Sequence, residues 1–287
     1  MVYKPSPRPE YDGPTLIRFE NVVRHLWGDA DAGQVADWIY ISNRNIHAIV
    51  YSLLPGKTFT HSQEYRTIFG ADEVMIVLDG VFALANPQSG EVQRARAGEA
   101  IFFRKDTWHH GFNLGESPVR VLEFFAPPPA QGTSGIYAQN KPYLPKETWQ
   151  YINPHALRGW PRPNQLPGKS LVKIREDELL WELRGGESKM LVGHFASTEH
   201  LRVGRLDVPP GFRSPAERHA GDEFLYLNRG SLSIYLPSAE GENGFELRPE
   251  DGFYIPAGVE HEYHNTGEQP AQALFGVAPN PEPFQEE

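Results

Sequence analysis

The chain has 287 residues, of which 39% are apolar and 22% charged, with a net charge of −10, 26 prolines, 27 glycines and no cysteine. That length allows one large core or two of about 140 residues each. The negative balance excludes a nucleic-acid backbone as partner, no apolar run reaches membrane-helix length, and a cysteine-free chain has neither disulfides nor thiolate metal sites.

In chain order, the opening "MVYKPSPRPEYDGP" has no apolar stretch, so no secretory leader is expected and a cytoplasmic protein is. Trp27, Trp38 and Arg44 follow and are expected to cap a pocket. The runs "HAIVYSLL", "EVMIVLDG", "EAIFFR", "VRVLEFFA", "RVGRLDV", "EFLYLN" and "SLSIYL" are β-branched or aromatic, each bounded by Gly, Pro, Asn or Asp. Short strands separated by turn signals predict an all-β sandwich or barrel.

The strands fall into two copies of one pattern. "LLPGKTFTHSQEYRTIFGADEVMIVLDG" (53–80) corresponds to "DVPPGFRSPAERHAGDEFLYLNRG" (207–230). Each opens on a Pro-Gly turn at Gly56 or Gly211, and each has an Asp-Glu pair before an apolar strand. A glycine, Gly80 or Gly230, follows the Glu by seven positions. "GEAIFFRKDTWHHGFN" (98–113) likewise matches "EDGFYIPAGVEHEYHN" (250–265), aligning His109 with His261 and Asn113 with Asn265. The Glu-to-His interval is 36 residues in one copy and 38 in the other. Two domains, 1–126 and 169–287, are therefore expected, joined by a connector over 127–168. Its nine prolines come with Tyr137, Tyr143, Trp149, Tyr151 and Trp160, a composition that predicts an ordered strap rather than a tether.

These spacings resemble the cupin family, whose first motif runs G-x5-H-x-H-x3-4-E-x6-G and whose second runs G-x5-P-x-G-x2-H-x3-N. Gly211, Glu217, His219, Glu223 and Gly230 keep every interval of the first, and Pro256, Gly258, His261 and Asn265 fit the second. The resemblance covers almost the whole chain and implies two tandem jelly-roll β-barrels, a bicupin. It also implies a homodimer and a metal site in the second barrel on Glu217, His219, Glu223 and His261. Glu217 stands where the family has its first ligand histidine, and Glu250 stands at a motif glycine. In the first copy Ser62 and Glu64 occupy the two histidine places. About five extra residues precede Glu73, and His61 is one position out of register. A second metal site on Glu64, Glu73 and His109, helped by His61, is one reading of that copy. A vestigial barrel kept for packing is the preferred one, and His110 is expected to face the opposite side.

On their own terms, Glu217 and His219 are two apart and share a strand face, a tight turn can return Glu223 beside them, and barrel closure can bring in His261. Two imidazoles and two carboxylates suit one divalent ion per chain, Fe²⁺ first, then Mn²⁺, Zn²⁺ or Ni²⁺. Glu217 is open to a second role, as a general base beside bound water. Arg205, Arg213 and Arg218 flank the motif, and Arg205 or Arg213 is the candidate anchor for a substrate carboxylate. Three functions fit. The first is a non-haem Fe(II) dioxygenase of a hydroxylated aromatic or organic acid. The second is a non-redox isomerase, decarboxylase or aminohydrolase, and the third is a non-catalytic binder of small molecules.

Overall fold

The structure, a computed structural model, describes residues 5–127, 135–152 and 170–280. Two seven-stranded antiparallel sheets form its centre. One holds, in order, Val172–Ile174, Ala100–Phe103, Asp72–Asp79, Val119–Ala126, His47–Leu53, Gly33–Ser42 and Val23–Asp29. The other holds Thr15–Ile17, Gly252–Ile255, Asp222–Arg229, Ala271–Ala278, Arg202–Val208, Met190–Ser197 and Leu180–Arg184. A four-stranded sheet (Thr58–Phe59, His110–Phe112, Val81–Asn86, Glu91–Arg96) completes the first barrel, and a three-stranded sheet (Gly244–Leu247, Leu232–Tyr235, Glu262–His264) completes the second. The two halves exchange edge strands: Thr15–Ile17 pairs with Gly252–Ile255, and Val172–Ile174 pairs with Ala100–Phe103.

The continuous apolar runs have a direct cause, because both faces of the central strands are buried. Along Asp72–Asp79, Val74 and Ile76 join a core between the barrels while Met75 and Val77 line the inside of the first. Along Asp222–Arg229, Phe224 and Tyr226 join the shared core while Leu225 and Leu227 fill the second barrel. The same alternation splits each Asp-Glu pair. Glu73 and Glu223 face inward. Asp72 instead meets Arg104 at 3.2 Å, and Asp222 accepts hydrogen bonds from Asn43 and Asn45 of the other half.

The duplicated motif residues do duplicated structural work. Asn113 donates to the carbonyls of Leu53 and Ser117, and Asn265 donates to those of Val208 and Gln269. Gly80 and Gly230 turn the chain at φ +79° and +80°, a region costly for any residue with a Cβ. The barrels differ in how they fill one interior position. In the first, Gly111 lies opposite Phe59, whose ring occupies the space a Cβ would need. In the second, the corresponding pair is Tyr263 and Ser214, joined by hydrogen bonds from Tyr263 N to Ser214 Oγ and from Ser214 N to Tyr263 O.

Residues 135–152 lie against the first barrel. Arg66 donates to the carbonyls of Ala138, Gln139 and Lys141, and Trp149 and Tyr151 pack on His110. Trp160 and the rest of the expected strap are outside the described residues.

Candidate metal centre

In the second barrel the four motif residues converge. Glu217 and His261 are cross-strand partners, each donating its backbone N–H to the other's carbonyl at 2.9 and 3.0 Å. His219 is fixed two residues on, its carbonyl accepting from Gly258 N at 2.7 Å. Glu223 enters at the start of its strand, in register with Ile255 and Val277. His261 Nε2 lies 3.2 Å from Glu223 Oε2 and 3.7 Å from Glu217 Oε1. His219 Nε2 lies 3.4 Å from Glu223 Oε2 and 3.9 Å from Glu217 Oε1. Donors about 2.1 Å from one ion stand roughly 3–4 Å apart, so these separations fit a shared cation.

Further details fit a cation there. His261 Nδ1 is 3.1 Å from the Val259 carbonyl, which sets the tautomer with Nε2 turned inward. Glu217 Oε1 is buried with no hydrogen-bond partner among the described residues. Burial alone would raise the Glu223 carboxyl, but His219, His261 and the Tyr263 hydroxyl outweigh it and hold the group down at about 2. Burial would lower His261, yet the neighbouring Glu217 and Glu223 carboxylates lift it to about 10. A proton on His261 thus supplies the positive charge that two crowded carboxylates require.

Tyr263, two residues after His261, lies at the same place. Its hydroxyl is 3.0 Å from His261 Nε2 and 3.1 and 3.2 Å from the two Glu223 oxygens. The sequence signal for it was its spacing, since on a strand residues two apart share a face.

The flanking arginines are placed elsewhere. Arg205 is buried against Asp207 and Glu176, with its guanidinium over the Trp181 ring. Arg213 pairs with Glu262, and Arg218 pairs with Glu260 on the outer surface. The arginines at the site are Arg184, 3.5 Å from Glu217 Oε2, and Arg202, 3.4 Å from His219 Nδ1. Arg184 is far from the motif in sequence, whereas Arg202 lies three residues from Arg205 on the same strand, where alternation gives it the other face.

In the first barrel the structure brings together Glu73, His109 and Glu123, all buried. Glu64 is exposed, on the long connection between Thr58–Phe59 and Asp72–Asp79 that contains the extra residues. Ser62 lies on the same excursion, and its hydroxyl donates to Asp29. His61 faces away as its register required. Its Nδ1 is 2.7 Å from His110 Nε2, its Nε2 is 2.7 Å from the Leu144 carbonyl, and Trp108 and Trp149 enclose it. His110 is on that side too. Of the expected pocket residues, Trp27 lines a cavity beside this cluster, while Trp38 stacks on Phe19. Burial and the adjacent Glu123 charge raise the Glu73 carboxyl well above its usual range, and burial does the same to Glu123. Burial brings His109 down to about 4, so its imidazole is neutral.

Comparison with known proteins agrees with this fold. The cupin domain family matches residues 55–125 and 204–277. Auxin-binding protein T92 of Nicotiana tabacum is 33% identical over 89 residues, covering 29% of the chain and 48% of that protein. The polyketide synthase protein CurC of Streptomyces cyaneus is 34% identical over 78 residues, 27% of the chain and 48% of that protein. The matches thus span about half the length of these curated relatives. Among solved structures, a glyoxylate-induced protein of Pseudomonas aeruginosa superposes with TM-score 0.65 at 13% identity, covering 100% of this chain and 97% of that one. Lactobacillus farciminis oxalate decarboxylase superposes with TM-score 0.64 at 15% identity, covering 97% and 90%. At such identities the likeness is one of fold. With both halves matched and both barrels formed, the chain belongs to the cupin family as a bicupin.

Proposed function

We propose that the second barrel is a mononuclear metal centre that transforms a small organic acid, and that its reaction is oxygenation with iron as the ion. The observation that carries the reading is that His219 Nε2 and His261 Nε2 each lie within 4 Å of an oxygen of both Glu217 and Glu223. When bound, the ion supplies Lewis-acid chemistry and, as iron, one-electron chemistry at the positions its protein ligands leave open. His219, His261 and Glu223 hold it. Glu217 has one oxygen turned inward and the other toward Arg184, which suits it to accept a proton from a substrate at the rim. The Tyr263 hydroxyl can donate to a developing negative charge on the substrate. Arg184 and Arg202 supply the cationic rim that Arg205 and Arg213, as sequence candidates, do not reach. The protein would act as a cytoplasmic homodimer.

A non-redox reaction with Mn²⁺, Zn²⁺ or Ni²⁺ is the second reading, favoured by one observation: two proton-handling groups, Glu217 and Tyr263, flank the donors. Likeness in fold to an oxalate decarboxylase is compatible with it. Assaying the iron-loaded chain against phenolic and aliphatic acids with an oxygen electrode separates the two. Substrate-dependent O₂ uptake supports oxygenation, whereas turnover that persists under nitrogen selects the non-redox reaction.

A further inference from the structure

The interior of the first barrel is more acidic than a vestigial site would be. A cavity of about 50 Å³ lies there, lined by Trp27, Asp37, Tyr51, Thr67, His109 and Glu123 among others. Matching strand registers identifies what the second copy has at the same places. Phe125 is opposite Glu73 and Val277 opposite Glu223, so Glu123 corresponds to Phe275. The pairings of Tyr51 with Val121 and Asp37, and of Leu206 with Ala273 and Val192, then match Tyr51 to Leu206 and Asp37 to Val192. Three interior positions that are apolar in one barrel are an acid, a phenol and an acid in the other.

Idle barrels fill with hydrocarbon, since a buried carboxyl without compensation costs several kcal/mol. Here Glu73 and Glu123 lie together, 1% and 4% exposed, and no lysine or arginine among the described residues is paired with either. Among the described residues, Glu73 Oε2, Glu123 Oε1 and Thr67 Oγ1 are buried without hydrogen-bond partners. His109 Nδ1 is 3.2 Å from the Thr107 carbonyl, which turns Nε2 toward Glu73 Oε2 at 3.9 Å, the arrangement His261 has in the other barrel. One donor atom from each of Glu73, His109 and Glu123 lies within 4.8 Å of the others.

We propose that the first barrel holds a divalent cation of its own on Glu73, His109 and Glu123, with a carboxylate from the last strand standing in for the motif ligands lost at Ser62 and Glu64. Two carboxylates neutralise the ion, and a set of two oxygens and one imidazole suits Mn²⁺, Fe²⁺ or Zn²⁺. The site is independent of the one in the second barrel, and its ligand set is not a copy of it.

The test is metal stoichiometry on the full chain, stripped with chelator, dialysed against Mn²⁺ or Zn²⁺ and measured by elemental analysis. Two equivalents are expected for the native chain, one for Glu123→Gln and one for Glu223→Gln. If Glu123→Gln keeps as much metal as the native chain, the proposal is overturned. It is also overturned if Glu223→Gln binds none, a result that does not depend on the Glu123 variant folding. A native chain with one equivalent that Glu123→Gln loses and Glu223→Gln keeps would uphold this site and defeat the one in the second barrel. Glu123→Phe, which installs the residue of the other copy, should fold and also lose one equivalent.

Discussion

At the residue scale, three side chains make distinct predictions. His261 is protonated at neutral pH, so an ion entering the second barrel must displace that proton. Calorimetry in buffers of different ionisation enthalpy should find about one proton released per ion at pH 7, and affinity should weaken as pH falls. Binding without proton release would mean that His261 is not a ligand. His47 is buried, stacks on Phe125, and among the described residues has no hydrogen-bond partner at either nitrogen. Burial, then the Arg8 charge, brings it down from 6.5 to about 3. Between those values the unfolded state binds the extra proton, so stability is lost as pH falls from 6.5 toward 3, by up to about 1.4 kcal/mol per pH unit. His61, His109 and His110 act in the same direction. Urea midpoints should therefore drop between pH 6.5 and 4, and His47→Phe should flatten that drop in part. Equal slopes in the two proteins would remove His47 from the account. Glu250, at a motif glycine, has φ +76°, where its counterpart Gly98 has +86°. The backbone kept the turn, and the side chain pairs with Arg120 across the barrels.

At the scale of elements, the asparagines hold each barrel closed. Asn265 joins the strand end at Val208 to the turn at Gln269 and accepts from Gly267 N. Asn265→Ala leaves these buried groups unpaired and should cost about 2–4 kcal/mol, read as a lower urea midpoint; a change under about 0.5 kcal/mol would show that water replaces the amide. This level also shows what the sequence could disclose. Paired motifs at fixed spacing mark which strands recur and which inward positions hold donors, so Glu217, His219, Glu223 and His261 were legible. Glu123 was not, because it belongs to no motif. Its signal was an acid in "VRVLEFFA" that shares, by alternation, the inner face of the apolar Val121 and Phe125. Arg205 and Arg213 were misleading because closeness to a motif along the chain does not fix the face. Arg202, on the same strand as Arg205, takes the other face by alternation, and Arg184 reaches the site through strand pairing.

At the scale of the whole molecule, the core between the seven-stranded sheets makes the two barrels one packing unit. Phe124 of the first sheet lies against Phe224 and fills the space over Gly276 of the second. Phe124→Ala should cost about 3–5 kcal/mol. Because the cavity opens between the halves, heat or urea should then unfold them in two steps, whereas the native chain should unfold in one. A single unchanged transition in the variant would mean that the barrels are stable separately. Among the described residues no helix is long and apolar enough to cross a membrane.

The exchange of Phe59 and Gly111 for Ser214 and Tyr263 has a consequence for how the copies could have diverged. One ring fills the space in either barrel, but it hangs from opposite strands. Changing Gly111 alone drives a side chain into Phe59, and truncating Phe59 alone empties the space. Neither single step is neutral, so passage between the two states requires paired changes. Duplication made the halves equivalent once; this pair now acts as a ratchet, so that at this one position only the second barrel has a ring carrying a hydroxyl.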